Sequence, residues 1–255
     1  MLSVYVARPG GAPCLTRHPH HPYYAASTMK AAVLAALYRS GLDLDTQVPL
    51  HNSFAPAVPG PRFGIEPDWE VDAETWRLLG ESASLRWLAM RMVAHSSDLA
   101  TNTILERVGF PAVNEVWRLA GASNSAVHRG IEDSAAREAG LTNLVTAADL
   151  AGLMTWMPQE LADLLAANVH RVDLAAGLPP GTRIAFKNGW VRGIRHSAGV
   201  VHPTDAPPYV IAVCYSGPLA NGEAVGDPAA RLLARVSARV WSHRHALGTA
   251  AIGPM

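Results

Sequence analysis

The stretch Tyr209–Tyr215 has the sequence YVIAVCY, which is apolar at both alternating sets of positions. A strand of this kind is typical of the centre of a sheet that is covered on both faces. Two more strands are predicted before it, at Arg183–Trp190 and Arg195–His202. After it, Asp227 and Pro228 form an N-cap and first-turn pair. The helix that they begin carries an apolar stripe, so we expect it to lie across the sheet.

The other end of the chain also predicts strands. Leu2–Ala7 is rich in β-branched and aromatic residues, and Ala12–Arg17 would complete a hairpin with it. Between the two ends apolar residues recur at helical spacing, and helices are predicted at Ser27–Arg39, Ser84–Val108, Ala112–Leu119 and Ala147–Met157. The fold class is therefore α/β (α+β), with a sheet built from both chain termini, flanking helices and an all-helical insertion.

This pattern predicts a single unit over residues 1–255 with two subdomains. Residues 1–45 and 180–255 would form the α/β subdomain, and residues 46–179 the helical one. A cleft between them is a natural place for a ligand. Pro49–Pro67 is rich in proline and glycine and predicts a long irregular loop, either a lid or pocket wall or a surface excursion.

Composition and charge restrict the partners. The chain has 255 residues, a mass of 27.1 kDa and 49% hydrophobic residues. Its 21 Lys and Arg residues balance 21 Asp and Glu residues, so no electrostatic case exists for nucleic acid or an anionic membrane. No apolar run is long enough to span a bilayer, and Met1–Arg8 lacks the features of a signal peptide. We expect a cytoplasmic protein, unless a leader was removed, that is a monomer or weak dimer and acts on a small molecule.

The cysteines and histidines predict neither a disulfide framework nor a metal site. Cys14 and Cys214 lie far apart in the chain, and we expect two free, partly buried thiols. The histidine-rich segment His18–Pro22 has a proline between its ligand candidates and no carboxylate or cysteine companion. We therefore expect no metal and no cofactor.

The segment Ser27-Thr28-Met29-Lys30 stands at the start of a predicted helix. Positions i and i+3 share a helix face, so the Lys30 amine can approach the Ser27 hydroxyl. A serine hydroxyl becomes a good nucleophile only when a neighbour takes its proton, and a lysine can do so only when it is neutral. Alone, this pattern is also common on ordinary helices.

Two further segments carry chemistry. His95–Asn102, with the sequence HSSDLATN, places hydroxyls and a carboxylate inside the helical region, where they disfavour helix; the alternative is a cap between two helices. Phe186–Trp190, with the sequence FKNGW, places Lys187 in an apolar strand. Its Gly189 predicts a close approach by another group, and the alternative is an edge-strand lysine.

In this order the three segments resemble the Ser-x-x-Lys, Ser-Asp-Asn and Lys-Thr-Gly motifs of the serine β-lactamase and penicillin-binding protein superfamily. The resemblance covers nearly the whole chain and is closest to the class A branch. Ala100-Thr101-Asn102 and Asn143–Ala147 strengthen it. It implies a β-lactamase/transpeptidase-like fold with an antiparallel sheet.

The resemblance implies roles for four side chains. Ser27 would be the acylated nucleophile and Lys30 its general base. Ser96 would relay a proton toward the leaving group. Lys187 would provide the field that keeps Lys30 deprotonated, and it would help to bind a substrate carboxylate.

It also implies the surroundings of the substrate. The backbone N–H groups of Ser27 and Trp190 would form the oxyanion hole, which stabilises a tetrahedral intermediate. The substrate would lie along Gly189 and Trp190, whose indole would narrow the cleft. Arg195 or His196, at the start of the next strand, would contact a substrate anion.

Two positions depart from the family pattern. Asp98 stands where the family has Asn; an ionised carboxylate only accepts hydrogen bonds, which disfavours a substrate side-chain amide and favours a donor or a cation. Asn188 replaces the hydroxyl residue of the third motif, and its amide can still donate to a substrate carboxylate.

The base that activates water is the largest departure. Class A enzymes use a Glu with a nearby Asn in a loop, and the segment Arg129–Ser134 contains no such Glu-x-x-Leu-Asn pattern. Glu132 is the best candidate and Glu138 a weaker one. The alternative is that both are solvated loop carboxylates. Without a positioned base, the acyl-enzyme would be long-lived or would transfer its acyl group to another acceptor.

These residues predict a serine hydrolase that acts through a covalent acyl-enzyme on an amide or ester, with β-lactam hydrolysis as the default. One alternative is an intracellular esterase, amidase or transacylase that uses the same Ser-Lys machinery. A second alternative is a non-catalytic, ligand-binding relative.

Overall fold

The computed structural model describes residues 1–248. Within this range the strands are β1 (Leu2–Ala7), β2 (Pro13–Arg17), β3 (Tyr23–Tyr24), β4 (Gln47–Pro49), β5 (Ser82–Ser84), β6 (Leu144–Val145), β7 (Arg183–Val191), β8 (Ile194–His202) and β9 (Tyr209–Ser216). The helices are α1 (Lys30–Arg39), α2 (Ala73–Arg77), α3 (Leu85–Ala94), α4 (Asp98–Leu119), α5 (Ser134–Glu138), α6 (Ala147–Trp156), α7 (Gln159–Ala166) and α8 (Pro228–Ser242). Short 3-10 helices lie at Ala26–Met29, Pro67–Trp69 and Ala175–Gly177.

The main sheet has five strands in the order β2-β1-β9-β8-β7, and its four pairs of neighbouring strands are antiparallel. Strand β9 lies in the middle, as the sequence predicted. Its residues Val210, Ala212 and Cys214 face the helical core, whereas Ile211 and Val213 face α8. Burial on both faces explains why the strand is apolar at every position. The mixed α/β fold with this antiparallel sheet confirms the predicted fold class, although the insertion that was predicted to be all helical also contains the short strands β4, β5 and β6.

Helix α1 lies in the middle of the protein. Every residue from Lys30 to Leu37 is buried, and the helix packs against α3, α4, α6 and α7. Its many alanines allow these neighbours to approach closely. The sequence predicted one helix over Ser27–Arg39; the structure instead has a 3-10 turn at Ala26–Met29 followed by the α-helix. Gly41 follows with φ of 73°, which explains the stop.

The long predicted helical region is interrupted. Helix α3 ends at Ala94, and α4 begins at Asp98, with Ser97 as its N-cap. Helix α4 kinks at Gly109, which has φ of 74°, and Pro111 follows it inside the helix. The chain therefore turns between α3 and α4, at the segment that the sequence singled out for its hydroxyls.

The loop at residues 49–67 lies against the segment that carries Glu132. The backbone N–H of Ala57 donates to Asp133 at 2.8 Å. A Cβ on Gly130 would lie 2.7 Å from the Phe63 ring, so the two segments are in tight contact. These contacts favour a pocket wall over a surface excursion.

Three smaller features complete the fold. Asp227 caps α8 by accepting from the Ala230 N–H at 2.8 Å, as predicted. Cys14 and Cys214 are free and buried. No helix within residues 1–248 is long and apolar enough to cross a bilayer.

Candidate active site

The turn at Ala26–Met29, which we call the nucleophile turn, holds Ser27 in a strained backbone. Ala26 has φ of 45°, a left-handed conformation that a residue with a Cβ rarely adopts. The Ala25 N–H donates to the Asn143 carbonyl at 2.9 Å, and the Thr28 hydroxyl donates to the Ala25 carbonyl at 2.6 Å. Strain that surrounding bonds hold in place is common at reactive residues.

Lys30 is fully buried, and its ammonium is enclosed by three oxygens. Nζ donates to the Ser96 carbonyl at 2.6 Å and to Asp98 Oδ1 at 2.6 Å, and it lies 3.2 Å from Ser96 Oγ. Asp98 is therefore an ion-pair partner of Lys30, with its side chain 18% exposed toward the cleft. The sequence predicted that Asp98 faces the substrate but not that it holds Lys30.

Ser96 lies at the turn between α3 and α4, where it has φ of 62°. This turn places the Ser96 hydroxyl between the two lysines, 3.2 Å from Lys30 Nζ and 3.1 Å from Lys187 Nζ. The next residue, Ser97, caps α4 by accepting from the Ala100 N–H at 3.0 Å. The segment thus contains both the cap between the two helices, at Ser97, and a hydroxyl that contacts both lysines, at Ser96.

Lys187 lies on β7 and is 0% exposed. Its Nζ is 2.9 Å from the Asn188 carbonyl and 3.1 Å from Ser96 Oγ. Burial places the pKa of Lys187 well below its ordinary range, and the charge of Lys30 lowers it further. The sequence contains no lysine other than Lys30 and Lys187. A count of lysines would therefore have identified both members of the site.

Strand β7 is an edge strand, and its outer side faces the nucleophile turn. A Cβ on Gly189 would lie 2.5 Å from the Ser27 backbone nitrogen and 2.9 Å from that of Thr28. This close approach is the one that Gly189 predicted from the sequence. It places β7 directly against the nucleophile turn at the residue before Trp190, and the expected oxyanion role of the Trp190 N–H stays a prediction.

The Asn188 side chain points into the protein. Its Nδ2 donates to the His170 carbonyl at 3.1 Å and to Asp173 Oδ2 at 3.1 Å. Its Oδ1 accepts from Asn168 at 3.3 Å. Both amide hydrogens are thus used within the protein, so this placement favours a role in holding β7 over contact with a substrate carboxylate.

Arg195 and His196 are both 0% exposed. Arg195 Nε donates to Asp173 Oδ1 at 2.6 Å, and its guanidinium lies 4.5 Å from the centre of the Trp190 ring. Asp173 was not identified from the sequence, because nothing local marks a partner 22 residues away from Arg195. The placement of Arg195 favours support of Trp190 over contact with a substrate anion.

His196 is a neutral ring with both nitrogens occupied. Full burial lowers its pKa to about 4. Its Nδ1 accepts from the Tyr215 N–H at 3.2 Å, so the proton is on Nε2, which donates to the Tyr24 carbonyl at 3.0 Å. His196 therefore ties β8 to the chain just before the nucleophile turn.

Glu132 lies in a loop whose backbone is hydrogen-bonded to a side chain of α4. Asn102 donates to the Ile131 carbonyl at 2.9 Å and accepts from the Ile131 N–H at 2.9 Å. Glu132 follows with φ of 66°. Its side chain is partly buried, whereas Glu138 is exposed. Burial raises the pKa of Glu132, and the charge of Asp98 adds to the effect.

A third carboxylate near the site, Glu70, carried no sequence signal. It accepts from the Leu99 N–H, in the first turn of α4, at 2.7 Å and from the Asp72 N–H, just before α2, at 2.9 Å. Burial raises the pKa of Glu70, as does the nearby charge of Asp98. Glu70 thus fixes the segment that carries Asp98.

The histidine-rich segment leads into β3, where the Tyr23 ring packs edge-on against His196, with ring centres 5.1 Å apart. Within residues 1–248, no group of three or more His, Cys, Asp or Glu side chains is arranged to hold a metal ion. His21 instead packs edge-on against Tyr23, with ring centres 4.8 Å apart.

The model of one family, described as the beta-lactamase enzyme family, matches residues 2–244. No curated protein matches the sequence. A β-lactamase from Xanthomonas campestris pv. campestris has a TM-score of 0.77 at 20% identity, over 97% of this chain and 91% of that one. A variant of PBP-A, solved as an acyl-enzyme complex with penicillin G, has a TM-score of 0.73 at 22% identity, over 95% and 90%. A β-lactamase from Sphaerobacter thermophilus has a TM-score of 0.71 at 20% identity, over 100% and 93%.

Proposed function

Because the chain belongs to the beta-lactamase enzyme family, we propose that it hydrolyses an amide or ester through a covalent acyl-enzyme on Ser27. β-Lactams are the default substrate class. The family and the fold support a serine β-lactamase-like hydrolase that acts on a small molecule. The roles of individual residues and the identity of the acyl group are our proposal.

One observation carries the proposal. The hydroxyl of Ser96 lies within hydrogen-bond distance of both Lys30 and Lys187, and these three residues come from three different elements. A fold does not need two lysines to meet at one buried hydroxyl, because buried like charges are costly. A path for protons beside the nucleophile turn explains the arrangement.

Acylation follows from this geometry. The Ser27 hydroxyl attacks the carbonyl carbon, and its proton leaves along Lys30, Ser96 and Lys187. The backbone N–H groups of Ser27 and Trp190 stabilise the oxyanion; one donor of this kind contributes roughly 3–4 kcal/mol in a well-studied case. The bond to the leaving group then breaks as that group receives a proton.

Glu132 is the proposed base for the second half of the reaction. It would take a proton from a water molecule that attacks the acyl carbon, which releases the acid and restores Ser27. Two observations support this role: the charge of Asp98 raises the pKa of Glu132, and Asn102 accepts a hydrogen bond from the N–H of Ile131, the residue before Glu132. A raised pKa also matches a general base that works near neutral pH.

A transacylase is the alternative that a specific observation favours. Glu132 has no hydrogen-bond partner of its own among the described residues, so no side chain orients its carboxylate toward a water molecule. Among the structural neighbours, a PBP-A variant was solved as an acyl-enzyme with penicillin G. With poor activation of water, the acyl group would pass to another acceptor.

The test is intact-protein mass spectrometry over time after mixing with a penicillin. Ser27→Ala is the key variant, and Ser40→Ala, at the exposed far end of α1, is the matched control. A transient adduct with accumulating hydrolysed penicillin, absent only in Ser27→Ala, is the expected result. Retained turnover by folded Ser27→Ala would contradict the proposal.

The other outcomes separate the alternatives. A persistent adduct indicates the transacylase. If no adduct forms, a serine-reactive fluorophosphonate tests the hydroxyl itself: labelling at Ser27 points to an ester or amide other than a β-lactam. No labelling at Ser27 would favour a non-catalytic, ligand-binding relative.

A further inference from the structure

We propose that a cavity beside helix α8 binds a small amphiphilic anion, which is an apolar chain or ring that ends in a carboxylate or a similar anionic group. The cavity lies between α8 and strands β1 and β2, and we call it the α8 cavity. Its volume of about 380 Å³ lies within the range of small-molecule sites. The proposal concerns a site apart from Ser27 and does not depend on the acyl-enzyme chemistry.

The α8 cavity lies on the face of the main sheet that is turned away from the nucleophile turn. Four of its lining residues are part of the apolar cluster under α8 or pack against it: Leu2, Val4, Leu15 and Val236. The nucleophile turn instead packs through Met29 into the helical core on the other face of the sheet. A ligand in the α8 cavity would therefore be separated from the candidate active site by the sheet.

The apolar part of the cavity is accessible to a ligand. Val4 is buried, but Leu2, Leu15 and Val236 are only partly buried. Apolar surface in contact with water favours an apolar ligand, because binding removes that surface from water. This part of the cavity therefore suits an alkyl chain or a ring.

Three arginines surround this apolar surface, namely Arg17 from β2 and Arg235 and Arg239 from α8. Arg17 lies opposite Val4 in the β1–β2 pairing, and alternation along β2 places it on the same face as Leu15. Arg235 and Arg239 are four residues apart, so they lie on the same face of the helix. Guanidinium groups from two elements therefore border one cavity.

These guanidinium groups have no partner within the protein. Most arginines in residues 1–248 donate to a carboxylate or a carbonyl or lie against an aromatic ring, but within this range Arg17, Arg235 and Arg239 do none of these. Strands β1 and β2 and helix α8 contain no aspartate or glutamate. Like charges four residues apart destabilise a helix, and a bound anion would offset that cost.

The shape and charge of the cavity favour a small molecule. The planar guanidinium matches a carboxylate or phosphate group, to which it can donate two parallel hydrogen bonds. The apolar surface next to the arginines matches the remainder of an amphiphile. An anionic membrane fits less well, because this surface is recessed between α8 and the sheet and because the chain has no net charge.

The experiment titrates the whole protein with octanoate, an alkyl chain that ends in a carboxylate, and measures binding by calorimetry. Octan-1-ol has the same chain without the charge, and acetate has the charge without the chain. We expect octanoate to bind saturably and about 10-fold or more tightly than either, because only octanoate uses both parts of the cavity. Absence of saturable binding would overturn the proposal, and so would equal affinity for octan-1-ol.

Substitution on α8 locates the site. Arg235→Gln combined with Arg239→Gln should weaken octanoate binding by about 10-fold or more, as expected for loss of a charge-assisted hydrogen bond. Arg231→Gln is the matched control, because Arg231 lies one turn earlier on α8, donates to the Gly226 carbonyl and does not line the cavity. Unchanged affinity in the folded double variant would place the ligand elsewhere and overturn the proposal, as would an equal loss in the control.

A second pair of variants tests the charge of the cavity from β2. Leu15→Glu and Leu15→Gln remove the same apolar side chain, and they differ in whether a carboxylate is placed beside the guanidinium groups. Leu15→Glu should bind octanoate about 10-fold more weakly than Leu15→Gln, with folding of both checked by circular dichroism. Equal affinities would contradict the proposal.

Sedimentation with phosphatidylglycerol vesicles distinguishes a free amphiphile from a membrane surface. We expect no binding to vesicles under conditions in which octanoate binds. Binding to vesicles without binding of octanoate would overturn the proposal in favour of a membrane contact. None of these measurements requires acylation of Ser27, so the proposed function and this site can fail separately.

Discussion

The two halves of the candidate site are built differently. On the acylation side, buried side chains from α1, the α3–α4 turn and β7 meet at the Ser96 hydroxyl. On the hydrolysis side, the loop around Glu132 is held by bonds to its backbone, chiefly from Asn102. In the proposed reaction, contacts between buried side chains would therefore determine the first half-reaction, and the placement of a loop would determine the second.

A change on the acylation side should affect formation of the adduct, and a change on the hydrolysis side should affect its decay. Each of the two rates therefore reports on one half of the site. A variant that altered both rates equally would show that the halves act as one unit.

The largest effect should come from Glu132→Gln. It removes the proposed base and should slow decay of the adduct by about 10³-fold, within the usual range for general-base catalysis, with adduct formation little changed. Time-resolved mass spectrometry measures both rates. Glu138→Gln, at the exposed end of α5, is the matched control. If Glu132→Gln decays as fast as the unmodified protein, Glu132 is not the base.

The pH dependence of decay sharpens the same assignment. Burial and Asp98 raise the pKa of Glu132, and only its ionised form can accept a proton. The rate of adduct decay should therefore fall at acidic pH, with a midpoint above the ordinary pKa of a glutamate. Glu132→Gln should abolish this acidic limb of the pH–rate profile. A limb that persists in Glu132→Gln would belong to another group.

Gly189→Ala should slow formation of the adduct and leave its decay unchanged. Its Cβ would lie 2.5 Å from the Ser27 nitrogen, so the nucleophile turn or β7 must shift. A misplacement of about 1 Å can cost about 10²-fold in rate, and we expect adduct formation to slow by that amount. Gly226→Ala, where a Cβ meets nothing within 4 Å, is the control. An unchanged rate would show that the close approach does not position Ser27.

Asn102→Ala should have the smallest effect on rate and a measurable effect on stability. It leaves the Ile131 N–H and carbonyl without a partner, which should cost about 1–3 kcal/mol in the free energy of unfolding. Adduct decay should slow by roughly 10-fold because Glu132 loses its fixed place. Both are measured, by denaturant unfolding and by mass spectrometry.

Asn114→Ala is a matched control for that variant. Asn114 holds Val127 on the same loop by the same two bonds, at 3.0 and 2.8 Å, from the other side of the α4 kink. It should destabilise the protein similarly and change decay less. Equal slowing in both variants would mean that general loosening of the loop, and not the position of Glu132, determines the rate.

The sequence predicted what is locally encoded. Strand β9 is apolar on both faces because both faces are buried, and Gly189 marked a backbone contact that the structure contains. The three motif segments could be aligned by order and spacing. That Lys30 and Lys187 both approach the Ser96 hydroxyl was predicted from the family resemblance alone.

What the sequence did not predict depends on distant partners. Asp98 reaches Lys30 across 68 residues, and Asp173 reaches Arg195 across 22. No periodicity marks such pairs, because each is created by the packing of separate elements. For the same reason Arg195 and Asn188 were expected to face the substrate, although each is fully buried with protein partners.

Because its only lysines are Lys30 and Lys187, the protein should react in an unusual way with amine-directed reagents. The positive charges on its exterior are arginines, which ordinary amine-directed acylating agents do not modify. Apart from the chain's amino terminus, such a reagent can reach an amine only by entering the cleft. Amine-selective covalent compounds would thus distinguish an open cleft from an occupied one, with no background from surface lysines.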